Sequence, residues 1–290
     1  MCGPGTECHF TQLGFGGESA RRFTIPSLNW KWQPTSYLLY RYLIAIYQTV
    51  WCVLVIVEWG TEPHYSLVDT KWKWLIYISN WSYLLLTVHF IFAAVAVTVY
   101  YTCGGCNDDP HSKDPTIEMS ERGEGSSHVN TQGDATMPWY LKMMWFLQVT
   151  SYSAAVAVTI LYWILEYEPD TDSIHAYGVH VHGINVLLVV IDSLIVANPY
   201  RLLHMIYPAL YALVYFIFTA IYWAAGGLNP VGNPWIYKGS LDWENEPGLS
   251  AVIAALTVVV GAPVLHFLFW LLFKIREAVL SRCCGSSQFV

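Results

Sequence analysis

Residues Trp74 to Tyr101 read WLIYISNWSYLLLTVHFIFAAVAVTVYY, a run that contains no Asp, Glu, Lys or Arg. A helix needs about 20 mostly apolar residues to cross the hydrocarbon core of a bilayer, and this run exceeds that length. Its β-branched residues do not indicate strands, because an open sheet edge cannot lie in lipid. The stretch therefore predicts a membrane-spanning α-helix, and it decides the fold class.

Five other apolar stretches have a similar length. The six predicted spans are Ser36 to Trp59, Trp74 to Tyr101, Trp139 to Tyr167, Val179 to Ala197, Leu203 to Ala225 and Gly248 to Phe273. Composition agrees, because 55% of the 290 residues are hydrophobic and 12% are charged, against about 25% charged in soluble domains. The prediction is an all-α membrane protein with a single bundle of six transmembrane helices.

The placement of Lys and Arg predicts the orientation of the bundle. With the N-terminus inside, the cytosolic segments hold Arg21, Arg22, Lys31, Lys113, Arg122, Arg201, Lys274, Arg276 and Arg282. The outer loops hold only Lys71, Lys73 and Lys238. Arg41 and Lys142 lie inside spans near their cytosolic ends, where long side chains reach the interface. We therefore expect both termini in the cytosol.

The remaining segments divide the chain into three parts. Residues 1–33 form a cytosolic N-terminal tail, 34–276 form the bundle, and 277–290 form a C-terminal tail. The loop 103–137 is polar and rich in glycine, so we expect it to be disordered, like the two tails. The net charge of −7 implies no nucleic-acid partner. The predicted partner is the lipid bilayer, of either the plasma membrane or the endoplasmic reticulum.

Two cysteines follow the last predicted span within a basic patch, Cys283 and Cys284. Juxtamembrane cysteines of this kind are often S-palmitoylated. The alternative is that both are solvated thiols. No set of four ligands with metal-site spacing is evident, and we expect neither a metal nor a cofactor.

Ionisable side chains inside spans are costly, so each one indicates a possible functional site. Ser79 is five residues into span 2 and His182 is three residues into span 4. Both lie roughly 5–8 Å below the outer boundary, and imidazole beside a hydroxyl is the minimum for nucleophilic catalysis. Asn185 is on the same helix face as His182 and is a candidate oxyanion donor. The alternative for Ser79 is a small residue that permits close helix packing.

A second polar layer lies ten residues further along both spans. It consists of His89 in span 2 and Asp192 in span 4. These two side chains are predicted to form a buried ion pair or an orienting hydrogen bond. The alternative is that each makes one hydrogen bond that locks the bundle.

An ensemble of motifs resembles the rolling stone family. The motifs are Tyr40-Arg41, Lys73-Trp74, Ile78-Ser79-Asn80-Trp81, Asn198-Pro199-Tyr200-Arg201-Leu202-Leu203-His204, Tyr207-Pro208, Ile221-Tyr222, Gly226-Gly227, Gly232, Ile236-Tyr237, Leu241-Asp242-Trp243 and Pro247-Gly248. The likeness runs from about Pro34 to Arg276. Members of that family are multi-pass membrane proteins implicated in myoblast fusion, so the resemblance implies a role in cell fusion.

A remoter resemblance concerns chemistry. The stretch His182 to Asp192, followed by Pro199 and Arg201, looks like part of the androgen-induced and androgen-dependent membrane proteins. Those proteins hydrolyse fatty-acid esters of hydroxy fatty acids with an intramembrane threonine and histidine. The resemblance implies that His182 is the histidine and that Ser79 stands in place of the threonine.

The leading hypothesis is therefore an intramembrane lipid-ester hydrolase. Ser79 would be the nucleophile and His182 the general base and acid. Asn185 would stabilise the oxyanion. The rival hypothesis is a non-enzymatic scaffold or fusion protein, and a transporter or channel is a third, for which no pair of broken helices is evident.

Overall fold

The computed structural model describes residues 9–28, 34–59, 71–103, 137–169 and 175–284. Within these ranges the regular secondary structure is helical, apart from two isolated β-bridges, Pro26 with Val196 and Tyr237 with Leu241. The α-helices are α1 (Thr35–Glu58), α2 (Ile78–Thr102), α3 (Trp139–Leu161), α4 (Ala176–Val179), α5 (Asn185–Ile195), α6 (Ile206–Ala224), α7 (Pro247–Leu256) and α8 (Ala262–Cys284).

Six helical segments among the described residues are long and apolar enough to cross a membrane, as the sequence predicts. They are Thr35–Glu58, Ile78–Thr102, Trp139–Glu166, Ala176–Ile195, Leu202–Ala224 and Pro247–Arg282. The second begins four residues later than predicted, because Lys71–Ile76 forms a separate 3₁₀ helix. The sixth extends beyond the predicted Phe273, because α8 continues through the basic patch.

The bundle has two ends. At one end, α1 finishes at Glu58 and α2 begins at Ile78. We call it the cavity end, after the cavity described below. At the termini end, residues 9–28 meet the loop 196–201 and the last turns of α8. Helix α2 makes its most extensive contacts with α3 and α1. A large apolar core around Trp145 and Phe23, both fully buried, lies towards the termini end.

Two π-helical turns widen the helices at the cavity end. Tyr162–Glu166 closes the third span, and His180–Ile184 lies between α4 and α5. A third π turn, Thr257–Gly261, joins α7 to α8. Such turns insert one extra residue into a helix and occur frequently at functional sites.

The N-terminal residues are not a disordered tail in the part that the structure describes. Residues Phe10–Leu13 and Ala20–Phe23 form short 3₁₀ helices. The backbone N–H of Ser27 donates to the carbonyl of Ile195 at 2.6 Å. Polar and glycine-rich composition predicted disorder, but Phe23 is fully buried in the bundle core, and this contact stabilises the segment.

Candidate functional site

A cavity of about 360 Å³ opens at the cavity end of the bundle. It lies between the ends of several spans and the connection that follows α6, which contributes Tyr237 and Ser240. Ser79 and His182 both line it. The structure therefore brings these two predicted residues to one cavity, although their helices begin elsewhere than the sequence indicated.

Ser79 is held in the first turn of α2. The preceding residue, Ile78, donates its backbone N–H to the hydroxyl of Tyr237 at 3.1 Å. This bond satisfies one of the free N–H groups at the helix start, where the N-cap Tyr77 supplies no side-chain cap. The Ser79 side chain also lies close to the Tyr237 hydroxyl. Tyr237, which the sequence indicated only as part of a family motif, is thus a direct neighbour of the candidate nucleophile.

The environment of Tyr237 keeps its hydroxyl protonated. Burial raises the pKa of this side chain to about 12, against the opposing effect of the neighbouring Ser79 side chain. A phenol with such a pKa is a donor at neutral pH, not a base. Tyr237 can therefore stabilise negative charge near Ser79.

His182 lies in the π turn His180–Ile184, where its backbone departs from helical geometry with φ −113° and ψ 15°. Its ring stacks on the ring of Tyr162, with the centroids 3.7 Å apart and the planes at 6°. Its carbonyl accepts a hydrogen bond from Trp163 Nε1 at 2.6 Å. The buried Nδ1 atom has no hydrogen-bond partner in the described part of the chain. The imidazole is thus fixed by stacking, with one ring nitrogen uncommitted.

Ser79 and His182 do not form a hydrogen bond with each other among the contacts of the described residues. Asn185 does not line the cavity. Its amide oxygen accepts from the Thr159 hydroxyl at 3.2 Å and from the N–H of Val186 at 2.7 Å. Asn185 therefore joins α5 to α3, and the structure does not bring it to Ser79 as the oxyanion assignment requires.

The deeper polar layer is centred on Asp192, which is fully buried. Its carboxylate accepts hydrogen bonds from Arg41 Nη1 at 3.2 and 3.3 Å and from the Tyr40 hydroxyl at 2.6 Å. The Tyr152 hydroxyl also donates to it. His89 Nε2 lies 3.3 Å from that same Tyr152 hydroxyl. His89 and Asp192 are therefore linked through Tyr152, and the ionic partner of Asp192 is Arg41.

Arg41 was predicted to reach the membrane interface, but the structure places it inside the bundle. It is fully buried, and its Nε and Nη2 atoms donate to the Tyr37 hydroxyl at 3.0 and 2.7 Å. It lies six residues into α1 and one turn after Tyr37. The spacing of Tyr37, Tyr40 and Arg41 on one helix could have indicated a buried polar cluster. The position of Arg41 near a span end favoured the interface instead.

A second polar centre lies at the termini end, around the motif Asn198 to His204. Arg201 donates to the carbonyls of Gly14 and Gly16 at 2.7 and 2.5 Å, and its Nη2 lies 3.3 Å from Glu18. The Tyr207 hydroxyl donates to the carbonyl of Leu13 at 2.6 Å. This motif therefore binds the N-terminal segment.

The remaining predicted positions are the two cysteines proposed as sites of acylation. Cys283 and Cys284 are the last two residues of α8, and their side chains lie outside the described part of the structure. Their acylation stays a prediction. In the ranges that the structure describes, no group of three or more His, Cys, Asp or Glu side chains is placed to hold a metal ion.

Comparison with known proteins decides the family. The family model described as Protein rolling stone matches residues 7–284. The chain belongs to the rolling stone family. The match begins well before Pro34, so the rolling stone family likeness includes the N-terminal segment that docks on Arg201.

One rolling stone relative shows the extent of the likeness. Protein rolling stone of Drosophila melanogaster is 29% identical over 241 residues, which cover 82% of this chain and 75% of the relative. No solved structure matches the chain. Membership and the six apolar helices together establish a multi-pass integral membrane protein of the rolling stone family.

Proposed function

We propose that this protein is a membrane-embedded hydrolase of acyl lipid esters, with Ser79 as nucleophile and His182 as general base and acid. The observation that supports it is the shared cavity, which two residues from different spans line together. The cavity volume lies at the lower end of the range for small-molecule sites. It accommodates the ester and its alcohol, whereas a long acyl chain extends beyond it.

The reaction follows the usual sequence for a serine nucleophile. The Ser79 hydroxyl attacks the ester carbonyl carbon, and its proton passes to His182. The tetrahedral oxyanion collapses, the carbon–oxygen bond to the alcohol breaks, and His182 returns the proton to the departing alkoxide. Water then attacks the acyl-Ser79 ester with His182 as base, which releases the fatty acid and restores the Ser79 hydroxyl.

Two features of the cavity fit these roles. The buried Nδ1 atom of His182 has no hydrogen-bond partner among the described residues, so it can accept a proton once substrate binding turns the ring towards the Ser79 hydroxyl. Hydrogen bonds between catalytic groups are often long in structures without substrate and tighten in the complex. The Tyr237 hydroxyl beside Ser79 replaces Asn185 as the candidate oxyanion donor.

A non-enzymatic role in membrane architecture or cell fusion is the second candidate. The Arg41–Asp192 pair favours it, because this pair and its tyrosines join α1, α3 and α5 and stabilise the bundle without facing the cavity. The membrane in which either function would operate is the plasma membrane or the endoplasmic reticulum.

The decisive experiment uses purified full-length protein in detergent or nanodiscs. We expect a fluorophosphonate probe to label Ser79, and Ser79→Ala and His182→Ala each to lower ester hydrolysis by at least about a thousandfold, because residues that act as a unit fail together. Ser79→Thr should retain part of the activity, since threonine carries the same hydroxyl.

Matched controls separate catalysis from folding. Ser82→Ala, one turn along α2, removes a hydroxyl that contacts Tyr211 outside the cavity, so activity should persist. His180→Ala removes a ring that binds Tyr83 and Tyr47, so it should lower the thermal midpoint. Folded wild-type protein that neither reacts with the probe nor hydrolyses an ester panel would favour the architectural role.

A further inference from the structure

The third span contributes a stripe of apolar side chains to the wall of the cavity. Val158, Leu161 and Leu165 all line it, and their spacing of three and four residues places them on one helix face. At 1.5 Å per residue this apolar stripe is about 10 Å long. It begins at Val158, which is buried, and ends beside Glu166, the last residue of the span. The stripe therefore leads from inside the bundle towards the cavity end.

Helix α7 contributes an apolar side chain at the same level. Ile253 lines the cavity and lies six residues after the start of α7 at Pro247. Leu161 lies five residues before the end of the third span at Glu166. At 1.5 Å per residue, both side chains are roughly 7–9 Å below the cavity end of their helices. In a bundle that crosses a bilayer, the surroundings at this depth are lipid acyl chains.

The wall of the cavity is thin between the third span and α7. Leu165 lines the cavity and is also 43% exposed, so a single side chain separates the cavity from the surroundings there. Helix α7 packs mainly against α6 and the π turn that follows it. Every residue of α7 is described, and Ser250 is its one buried side chain. Val252, next to Ile253, is exposed, so α7 forms the outer layer of the described bundle at this point.

Three other directions are less favourable for an acyl chain. Towards the middle of the bundle, Tyr152 and Ala155 of α3 belong to the packed core. At the cavity end, the connection after α6 covers the cavity, and Ser240 of this connection donates a hydrogen bond to Glu166. The other exposed residue of the lining is Glu58, whose carboxylate offers no apolar contact. A chain too long for the cavity therefore leaves it most favourably between the third span and α7.

We propose that the substrate is a long-chain ester that enters the cavity sideways from the bilayer, with its acyl chain between the third span and α7. The position of the ester at Ser79 and His182 rests on the proposed function. The acyl passage itself rests on Leu161, Leu165 and Ile253, which line the cavity where its wall is thinnest. An acyl chain in this passage exchanges lipid contacts for protein contacts and never enters water, which removes the cost of hydrating it.

Photolabelling tests the passage without turnover. Ser79→Ala protein in nanodiscs of zwitterionic lipid receives palmitoyl glycerol with a diazirine in the middle of the acyl chain, and mass spectrometry maps the labelled residues. We expect labelling of Leu161 and Ile253 that an excess of unmodified palmitoyl glycerol prevents. Ile160 and Val252, their exposed chain neighbours, are the matched controls. Bilayer lipid reaches these two from outside, so competition should not change their labelling.

Substitutions that narrow the passage test the same point by hydrolysis. Ile253→Trp and Leu161→Trp should each lower the ratio of kcat/KM for palmitoyl glycerol to kcat/KM for butyryl glycerol by about tenfold. A tenfold change corresponds to lost contacts of about two methylene groups. Val252→Trp and Ile160→Trp add the same bulk on the exposed side of the same helices, so they should leave this ratio unchanged.

The outcomes separate this proposal from the proposed function. Labelling of Leu161 and Ile253 that competition does not reduce, or an unchanged ratio in both tryptophan variants of the passage, would overturn the acyl passage even if Ser79 proves catalytic. Competed labelling of these two residues in a protein that hydrolyses nothing would retain the acyl passage and remove the hydrolase.

Discussion

At the scale of single residues, an ion pair between Arg41 and Asp192 joins two of the spans. Both side chains are fully buried. A buried charge is tolerated only when it is paired and its remaining hydrogen-bonding capacity is satisfied. Tyr37 binds the guanidinium, and Tyr40 and Tyr152 bind the carboxylate, so the pair meets that condition.

We predict that breaking the pair destabilises the protein strongly. Arg41→Gln and Asp192→Asn should each lower the free energy of unfolding by about 3–5 kcal/mol, because each strands an unpaired buried charge. The double variant should lose less than the sum of the two. Denaturant unfolding in detergent measures these losses, with Ser79→Ala as a control that should cost little. Additive losses would show that the two side chains do not act as a pair.

The sequence identified Asp192 as an intramembrane charge but assigned it the wrong principal partner. The depth of a residue along a helix follows from the rise per residue, so the depth of Asp192 in the bundle could be predicted from the sequence. Which side chains of two helices face each other depends also on how each helix is rotated about its axis. That rotation is set by packing between distant segments and cannot be predicted from depth. Asn185 shows the same limitation, because it shares a predicted face with His182 and yet points towards Thr159.

At the scale of structural elements, the docked N-terminal segment differs most from its sequence-based prediction. Composition is a local property, and the glycines around Phe15 indicate disorder when they are considered alone. The partners that hold the segment, Arg201 and Tyr207, come nearly two hundred residues later. Phe15 packs against Trp145 and His204 with ring centroids 5.3 and 4.4 Å away. Long-range contacts of this kind override composition.

We predict that Arg201→Lys releases this segment without unfolding the bundle. Lysine cannot donate to Gly14, Gly16 and Glu18 from one planar group as arginine does. Trypsin cleavage after Arg21 and Arg22 should accelerate by about tenfold, because cleavage reports the population of the locally open state. Arg282→Lys makes the same exchange at an exposed position and should not change the rate. Unchanged cleavage in Arg201→Lys would mean that other contacts hold the segment.

At the scale of the whole molecule, the six spans were predicted closely because hydropathy over twenty residues is sufficient to place them. The helix starts are less accurate, as the 3₁₀ helix Lys71–Ile76 shows. The cavity could be inferred only in part. Ser79 and His182 were recognised from chemical type and depth. The position of Tyr237 beside α2 could not be predicted, because Tyr237 lies in a connection whose sequence has no helical or strand periodicity.

Orientation in the membrane remains a prediction from the distribution of Lys and Arg. We expect a tag inserted between residues 104 and 137 to be reached by antibody only after permeabilisation, and a tag between 229 and 246 to be reached on intact cells. If the protein resides in the endoplasmic reticulum, selective permeabilisation of the plasma membrane gives the equivalent test. Reversed accessibility would place the cavity on the cytosolic side.

The π turn at His180–Ile184 has a consequence for how the site can arise and disappear. One extra residue in a helix rotates everything on one side of it by about 100° relative to a regular helix. Because the backbone kinks at His182, loss of the Gly183 codon would rotate the residues before it, His182 included, away from Tyr162, while Asp192 on the other side keeps its contacts with Arg41. A lineage could thus lose the cavity histidine in one genetic event and keep the buried Arg41–Asp192 pair.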